Sequence, residues 1–128
     1  MAEVAVAAIQ MDAEVGAMEG NLARAERLVQ EAAGQGAQLV VLPELFNTGY
    51  EYTDRNFGLA EPLDGRTGTW IVETARRLGV CLVGTFPARV EGQDYITALL
   101  ATPAGKRCIY RKRHVAFWEN CYFARGPE

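Results

Sequence analysis

Three charged residues of this chain lie in or beside strongly apolar sequence. Glu44 closes the run LVVLPE, Lys112 follows CIYR, and Glu119 comes seven residues after Lys112. Pro43 removes a backbone donor and interrupts strand pairing just before Glu44. A carboxylate at the end of an apolar strand is partly desolvated, which raises its pKa toward the range of a general base. An ammonium between two carboxylates suits a site that takes up protons and stabilises developing negative charge.

Each of these residues also has a purely structural interpretation. Glu44 can begin a turn or helix and cap its backbone amides. The basic run at residues 111–113 is typical of a solvated strand end. Tyr110, Phe117 and Trp118 could stack on nucleic acid beside this run, although the net charge of −3 disfavours a nucleic-acid or phosphate patch. Residue types and spacing therefore leave a catalytic and a structural role open.

Strands and helices alternate along the chain and would position these residues. The pattern of apolar residues predicts strands over 3–11, 38–44, 80–90 and, as a hairpin turning at 103–105, over 94–113, and helices over 20–37 and 67–79. This order indicates an α/β fold of about five strands, with two helices on one face of the sheet. The other face would need a further layer, because the first strands are apolar on both sides.

Composition limits the possible chemistry. The 128 residues are 49% hydrophobic and 23% charged, as in globular proteins of one domain. The sequence lacks a membrane-length apolar run and a basic signal segment, so we predict a cytoplasmic protein without membrane or nucleic-acid partners. Serine is absent and His114 is the single histidine, which excludes a serine triad and a histidine-rich metal site within this sequence. Cys81 and Cys108 lie in strand-like runs and are predicted to be buried.

Several motifs occur in an order that resembles a known family. They are AAIQMD, GNLARAERLVQEAAGQGAQLVVLPELFNTGY, YRKRHV and ENCYFARG, spread from about residue 3 to residue 126. In this order they resemble the nitrilase, or carbon–nitrogen hydrolase, superfamily. The resemblance implies a four-layer αββα sandwich that forms homo-oligomers. It also implies hydrolysis of small-molecule nitriles, amides or N-carbamoyl compounds through a Glu-Lys-Cys triad and a thioester, without a metal or organic cofactor.

The same resemblance implies roles for individual residues. Glu44 matches the general base, Lys112 the lysine that stabilises the tetrahedral oxyanion, and Glu119 the glutamate that positions lysine and substrate. Phe46 and Tyr50 follow Glu44 on a loop, where they either line the substrate pocket or only anchor the loop.

The nucleophile is the part of the implied triad that this sequence does not supply. Family members carry the cysteine in a strand-to-helix context beyond the YF..G segment, and residue 128 precedes that motif. Cys121 lies inside the E-x-x-Y-F segment without such a context, so we interpret it as a bystander thiol. Ile96 also departs from the family, which usually has asparagine there. We therefore expect residues 1–128 to be the N-terminal portion of a single carbon–nitrogen hydrolase domain.

Two other interpretations stay open. A catalytically inactive family member or fragment could serve as an interaction or scaffold module. A nucleotide- or phosphate-binding module would need a glycine-rich strand-to-helix loop, and DAEVGAMEGN after the first strand contains neither G-x-G-x-x-G nor a P-loop lysine. The hydrolase interpretation is therefore preferred, with the 128-residue chain expected to be inactive by itself.

Overall fold

Six strands form one mixed sheet in the computed structural model, which describes residues 3–127. The strands are β1 (Val6–Ala8), β2 (Leu39–Val41), β3 (Glu61–Pro62), β4 (Cys81–Val90), β5 (Gln93–Ala101) and β6 (Arg107–Arg111). The helices are α1 (Met18–Gly34), α2 (Asn56–Leu59) and α3 (Arg66–Leu78), and a short 3₁₀ helix covers Phe117–Cys121. Across the sheet the order is β1-β2-β4-β5-β6, and β3 pairs with one end of β4.

The strands β2, β4 and β6 all run in the same direction. β2 and β4 are parallel, and two antiparallel pairings, β4 with β5 and β5 with β6, restore that direction in β6. Residues that follow β2 and β6 therefore emerge at the same edge of the sheet. This edge is the carboxyl end of the parallel strands, where α/β folds bind their ligands. Glu44 and Lys112 follow these two strands, so the topology brings them to one edge.

Helices α1 and α3 cover one face of the sheet and form the main core with it. Each helix directs an apolar stripe inward, because its apolar residues recur at three- and four-residue steps. Contacts of α3 with β4 and β5, and of α1 with β2 and α3, place both helices in one layer. The buried residues of this core are Leu22, Ala25, Val29, Ala32, Val40, Leu42, Phe46, Ile71, Ala75, Val80, Leu82, Phe86, Ala88, Leu99 and Ala101. The predicted α/β fold with two helices on one face is therefore confirmed.

The opposite face of the sheet is apolar and partly exposed. Val6 is 59% exposed and Tyr110 is 56% exposed, although both belong to strands. Cys108 is also exposed, and the prediction of its burial is wrong, because it lies on the edge strand β6 and points away from the helices. Cys81 is half-buried. This face fits the expectation that a further layer completes a four-layer sandwich.

The element boundaries differ from the prediction mainly in the strands and in the loop after β2. β1 and β2 have only three paired residues each, fewer than the apolar runs suggest. The segment 46–64, predicted as loop, contains the short elements α2 and β3. Gly79, with φ of 68°, ends α3 as predicted, because this left-handed position favours glycine. Among residues 3–127, no helix combines the length and the apolar character needed to cross a membrane.

Gly68 determines how closely the first turn of α3 packs on the preceding loop. A Cβ at this position would lie 1.9 Å from the carbonyl oxygen of Leu63. We expect Gly68→Ala to lower the free energy of unfolding by at least about 2 kcal/mol, because the loop or the helix must shift. Urea titrations measure this change.

Gly20→Ala in α1 is the matched control for that prediction. Its added Cβ meets nothing within 4 Å outside the backbone of its own helix. The greater helix preference of alanine should therefore raise the free energy of unfolding by about 0.5–1 kcal/mol. Equal urea midpoints for the two variants would contradict the packing argument.

Candidate active site

A small apolar cluster at the carboxyl edge of the sheet holds the segments that carry the candidate site. Its buried members are Leu45, Ile96, Val115 and Phe123. In the sequence, Leu45 adjoins Glu44, whereas Val115 lies between the other two charged residues, Lys112 and Glu119. Packing in this cluster therefore determines where the three charged residues emerge.

Glu44 points out of the fold because the next residue turns the chain sharply. Leu45 has φ of 54°, which is unusual for a bulky side chain. Its side chain is buried, and its carbonyl oxygen accepts the N–H groups of Thr48 and Gly49 at 3.2 and 2.8 Å. Such a conformation costs of order 1–3 kcal/mol and persists where the surrounding packing enforces it. The Glu44 side chain is 41% exposed, more solvated than its apolar sequence context suggests.

Lys112 bridges the two carboxylates of the candidate site. Its Nζ donates to Glu44 Oε1 at 2.9 Å and to Glu119 Oε1 at 3.0 Å. Its backbone N–H donates to the carbonyl oxygen of Ile96 at 2.8 Å, which continues the pairing of β5 with β6. The predicted proximity of Glu44 and Lys112 is therefore confirmed, across 68 positions of sequence. Their chemical roles stay predictions.

Glu119 is the buried carboxylate of the pair, with a side chain that is 2% exposed. Its Oε2 accepts the backbone N–H of Ala116 at 2.7 Å, and its Oε1 accepts Lys112 and the hydroxyl of Tyr50. Burial raises the pKa of Glu119, but the hydrogen bonds from Tyr50, Ala116 and Lys112 outweigh burial and lower it. Glu119 is therefore held as a carboxylate with hydrogen bonds to both of its oxygens.

The charge on Lys112 is stabilised in the same way. Burial lowers the pKa of this ammonium, but its hydrogen bonds to Glu44 and Glu119 outweigh burial and raise the pKa. Lys112 is therefore a cation at neutral pH. Its side chain is 27% exposed, so the ammonium stays accessible to solvent or to a substrate. A cation fixed in this way can stabilise an oxygen atom on which negative charge develops.

The two predicted substrate-contact residues lie in different surroundings. Phe46 is fully buried in the main core, and its ring centroid lies 5.6 Å from that of Trp70. This burial favours the interpretation that Phe46 anchors the loop, so we do not propose it as a substrate contact. Tyr50 is 43% exposed, and its hydroxyl reaches the Glu119 carboxylate. The structure thus brings Tyr50 into the site and leaves Phe46 in the core.

Two buried asparagines, for which the sequence carries only a weak signal, hold the loop after Glu44. Asn21 in α1 donates to the carbonyl oxygens of Glu14 and Asn47 at 2.7 and 3.0 Å. Asn47 donates in turn to Thr67 Oγ1 at 3.0 Å. These bonds tie the loop to both helices that cover the sheet. Asparagine near a helix start is a weak sequence signal for this role, because it more often caps the helix or forms a local turn.

The remaining polar chemistry near the site is limited. Cys121 lies two residues beyond Glu119, within the 3₁₀ helix, and is exposed. Within residues 3–127, no group of three or more histidine, cysteine or acidic side chains is arranged to hold a metal ion. The described side chains therefore offer a proton acceptor and a fixed cation at one edge of the sheet.

Comparison with known proteins places this arrangement in a family. The family model for carbon-nitrogen hydrolases matches residues 5–128. A nitrilase from Pyrococcus abyssi is 38% identical over 126 residues, which make up 96% of this chain and 48% of that protein. The match covers the segments that contain all three charged residues of the candidate site.

Solved structures agree with this result. A carbon–nitrogen hydrolase superfamily protein from Xanthomonas campestris, with an arsenic adduct in its active site, superposes with a TM-score of 0.90 at 30% identity, over 100% of this chain and 48% of that one. An amidase variant from Nesterenkonia sp. AN1, with acrylamide added to its active-site cysteine, gives a TM-score of 0.86 at 26% identity, over 98% of this chain and 51% of that one. The chain thus spans about half the length of the relatives it matches. From the match along nearly all of its length and the shared fold, we conclude that the chain belongs to the carbon–nitrogen hydrolase family.

Proposed function

We propose that this chain contributes the general base and the oxyanion-stabilising cation of a hydrolase that cleaves non-peptide carbon–nitrogen bonds in amides, nitriles or N-carbamoyl compounds. The observation that carries the proposal is the Lys112 ammonium, which donates to Glu44 and Glu119 at 2.9 and 3.0 Å. Membership of the carbon–nitrogen hydrolase family supports the reaction class. The active-site cysteine of the related amidase supports a thiol nucleophile.

For an amide substrate, the proposed reaction has two halves. Glu44 removes the thiol proton, and the thiolate adds to the carbonyl carbon to give a tetrahedral oxyanion. Lys112 stabilises that oxygen, and the C–N bond breaks as Glu44 passes the proton to the leaving nitrogen, which departs as ammonia or an amine. Water that loses a proton to Glu44 then attacks the thioester. The second oxyanion collapses to the carboxylic acid, and the thiolate recovers its proton from Glu44.

The surroundings of the two carboxylates support Glu44, rather than Glu119, as the base. A general base must reach both the thiol and water, and the Glu44 side chain is 41% exposed whereas that of Glu119 is 2% exposed. Glu119 already accepts hydrogen bonds on both oxygens, so its proposed role is to position Lys112. Paired titratable groups in different environments commonly divide their roles in this way.

We infer that the nucleophilic thiol comes from a segment outside residues 3–127. Within the described chain, Cys121 is not followed by a helix whose N-terminus would stabilise a thiolate. The chain also corresponds to about half of its relatives, which supports the proposal that residues 1–128 are the N-terminal portion of one hydrolase domain. Assembly of the complete protein into a homo-oligomer is part of the same proposal.

Complementation tests the proposed function directly. The chain is co-expressed with the portion of the Pyrococcus abyssi nitrilase that the match leaves uncovered. Ammonia release is then measured with a panel of amides, nitriles and N-carbamoyl compounds. We expect release only when both pieces are present. A recovered complex that releases no more ammonia than either piece alone would favour an inactive interaction module.

Lys112→Met should lower kcat of the complemented enzyme by at least about 10²-fold, because a preorganised donor to the oxyanion is lost. Lys106→Met is the matched control, since this other lysine of the sequence lies in the exposed turn between β5 and β6 and should keep wild-type turnover. Steady-state ammonia release measures both variants. Wild-type turnover of Lys112→Met would show that the assigned role is wrong.

The ionisation of Glu119 should contribute to the pH dependence of the free energy of unfolding in the acid range. Folding lowers the pKa of Glu119, so its stabilising contribution is fully present above the pKa of the unfolded chain, about 4.3, and is lost as the pH falls through the folded pKa. The free energy of unfolding of the wild type should therefore fall more steeply than that of Glu119→Gln below about pH 4.5. Urea titrations over the acid range measure both curves, and parallel curves would contradict the argument.

A further inference from the structure

A chain of hydroxyl groups extends the candidate site beyond its three charged residues. Tyr50 is hydrogen-bonded to Glu119, and the hydroxyl oxygens of Tyr50 and Tyr52 lie 3.0 Å apart. The two rings meet edge to face, with centroids 5.4 Å apart and an interplanar angle of 79°. Both residues are more than two-fifths exposed, at 43% and 44%. Their hydroxyls are therefore held by these polar contacts more than by burial in a core.

Glu119 determines the direction of each hydrogen bond in this chain. The lowered pKa of Glu119 keeps it ionised at neutral pH, and an ionised carboxylate only accepts hydrogen bonds. Tyr50 must therefore donate its single hydroxyl proton to Glu119, which leaves its own oxygen as an acceptor. Tyr52 is then the donor to Tyr50. Lys112 donates to the same Glu119 oxygen, so Tyr50 and Lys112 share one acceptor.

Tyr50 is not suited to act as an acid or a base itself. Burial, the hydrogen bond to Glu119 and the contact with Tyr52 all raise the pKa of Tyr50, so its hydroxyl stays protonated. A hydroxyl that stays protonated and donates in one direction is a fixed dipole aimed at Glu119. Through this hydrogen bond Tyr50 acts on Glu119, and through Glu119 it acts on Lys112.

We propose that Tyr50 is a positioning residue that holds the Glu119 carboxylate against Lys112, and that Tyr52 orients the hydroxyl of Tyr50. The catalytic consequence rests on the proposed function, whereas the positioning itself does not. Without the Tyr50 hydroxyl, the shared Glu119 oxygen keeps a single donor. The carboxylate is then held only by Ala116 and Lys112, and the ammonium loses one of the constraints on its place beside Glu44.

Two other carboxylates near this cluster have partners other than Glu119. Glu44 is linked to Glu119 through Lys112. Glu51, although next to Tyr50 in sequence, is paired with Arg55 at 3.2 Å. A change in the titration of Glu119 after removal of a tyrosine hydroxyl can therefore be assigned to that hydroxyl.

The test follows the side-chain carboxyl carbon of Glu119 by NMR as the pH is varied, in the chain labelled with carbon-13 glutamate and nitrogen-15 lysine. Tyr50→Phe keeps the ring and removes the donor, so the titration midpoint of Glu119 should move to higher pH, and the Lys112 ammonium signal should shift with it. Tyr52→Phe should move the midpoint in the same direction by a smaller amount, because it weakens the donor without removing it.

Tyr95→Phe is the matched control. It removes a tyrosine hydroxyl that donates to the uncharged side chain of Gln93 at 2.8 Å, rather than to a charged residue of the site. This variant should leave the Glu119 midpoint at its wild-type value. An unchanged midpoint in Tyr50→Phe would overturn the positioning role. An unchanged midpoint in Tyr52→Phe would overturn the orienting role. If Tyr50→Phe does not fold, the same result would also overturn the positioning role, because Tyr52 reaches Glu119 only through the Tyr50 hydroxyl.

The titration needs no substrate, so its outcome does not depend on whether the complemented enzyme is active. If complementation fails but the midpoint moves, the positioning contact stands and the proposed function falls. In an active complemented enzyme, Tyr50→Phe should lower kcat about tenfold with little change in KM, because one hydrogen bond to a charged group is lost. A change confined to KM would instead indicate that Tyr50 contacts the substrate directly and would overturn the positioning role.

Discussion

One ammonium group bridges two carboxylates at the edge of the sheet, and the candidate site depends on it. Without Lys112, Glu119 would be a buried anion beside a second carboxylate, and a buried charge that loses its partner is strongly destabilising. The backbone N–H of Ala116 and the hydroxyl of Tyr50 satisfy further acceptor positions of Glu119. The ion pair is therefore part of a hydrogen-bonded network, which is the condition under which buried charges persist in proteins.

The charged residues are far apart in sequence, so apolar contacts have to bring their segments together. The cluster of Leu45, Ile96, Val115 and Phe123 makes these contacts. Apolar burial alone does not fix where the charged side chains point, so the backbone conformation must do so. It does so at two strained positions beside the site, Leu45 with φ of 54° and Phe117 with φ of 37°. Ile96 thus has a packing role here, at a position where the family pattern suggests a polar side chain.

The sequence predicts those features that depend on residues close together in the chain, or on the direction in which the strands run. Both long helices and the hairpin with its turn near Gly105 depend on apolar periodicity and on turn residues within a few positions. Other features depend instead on which segments of the folded chain pack against each other. They are the exposure of Cys108, the burial of Phe46 and the contact between Tyr50 and Glu119. Such contacts join residues that are distant in sequence, and no local pattern encodes them.

The charged side chains of the site differ in solvent exposure: Glu119 is buried, whereas Glu44 and Lys112 are partly exposed. Ion pairs in contact with water are worth up to about 1 kcal/mol, and they strengthen as the local dielectric falls. Glu44 and Lys112, at 41% and 27% exposure, are therefore sensitive to whatever covers this edge of the sheet. A ligand or a further chain segment that excludes water from this edge would strengthen the ion pair between Lys112 and Glu44. Glu119, buried and hydrogen-bonded on both oxygens, needs no such cover to hold the Lys112 ammonium in place.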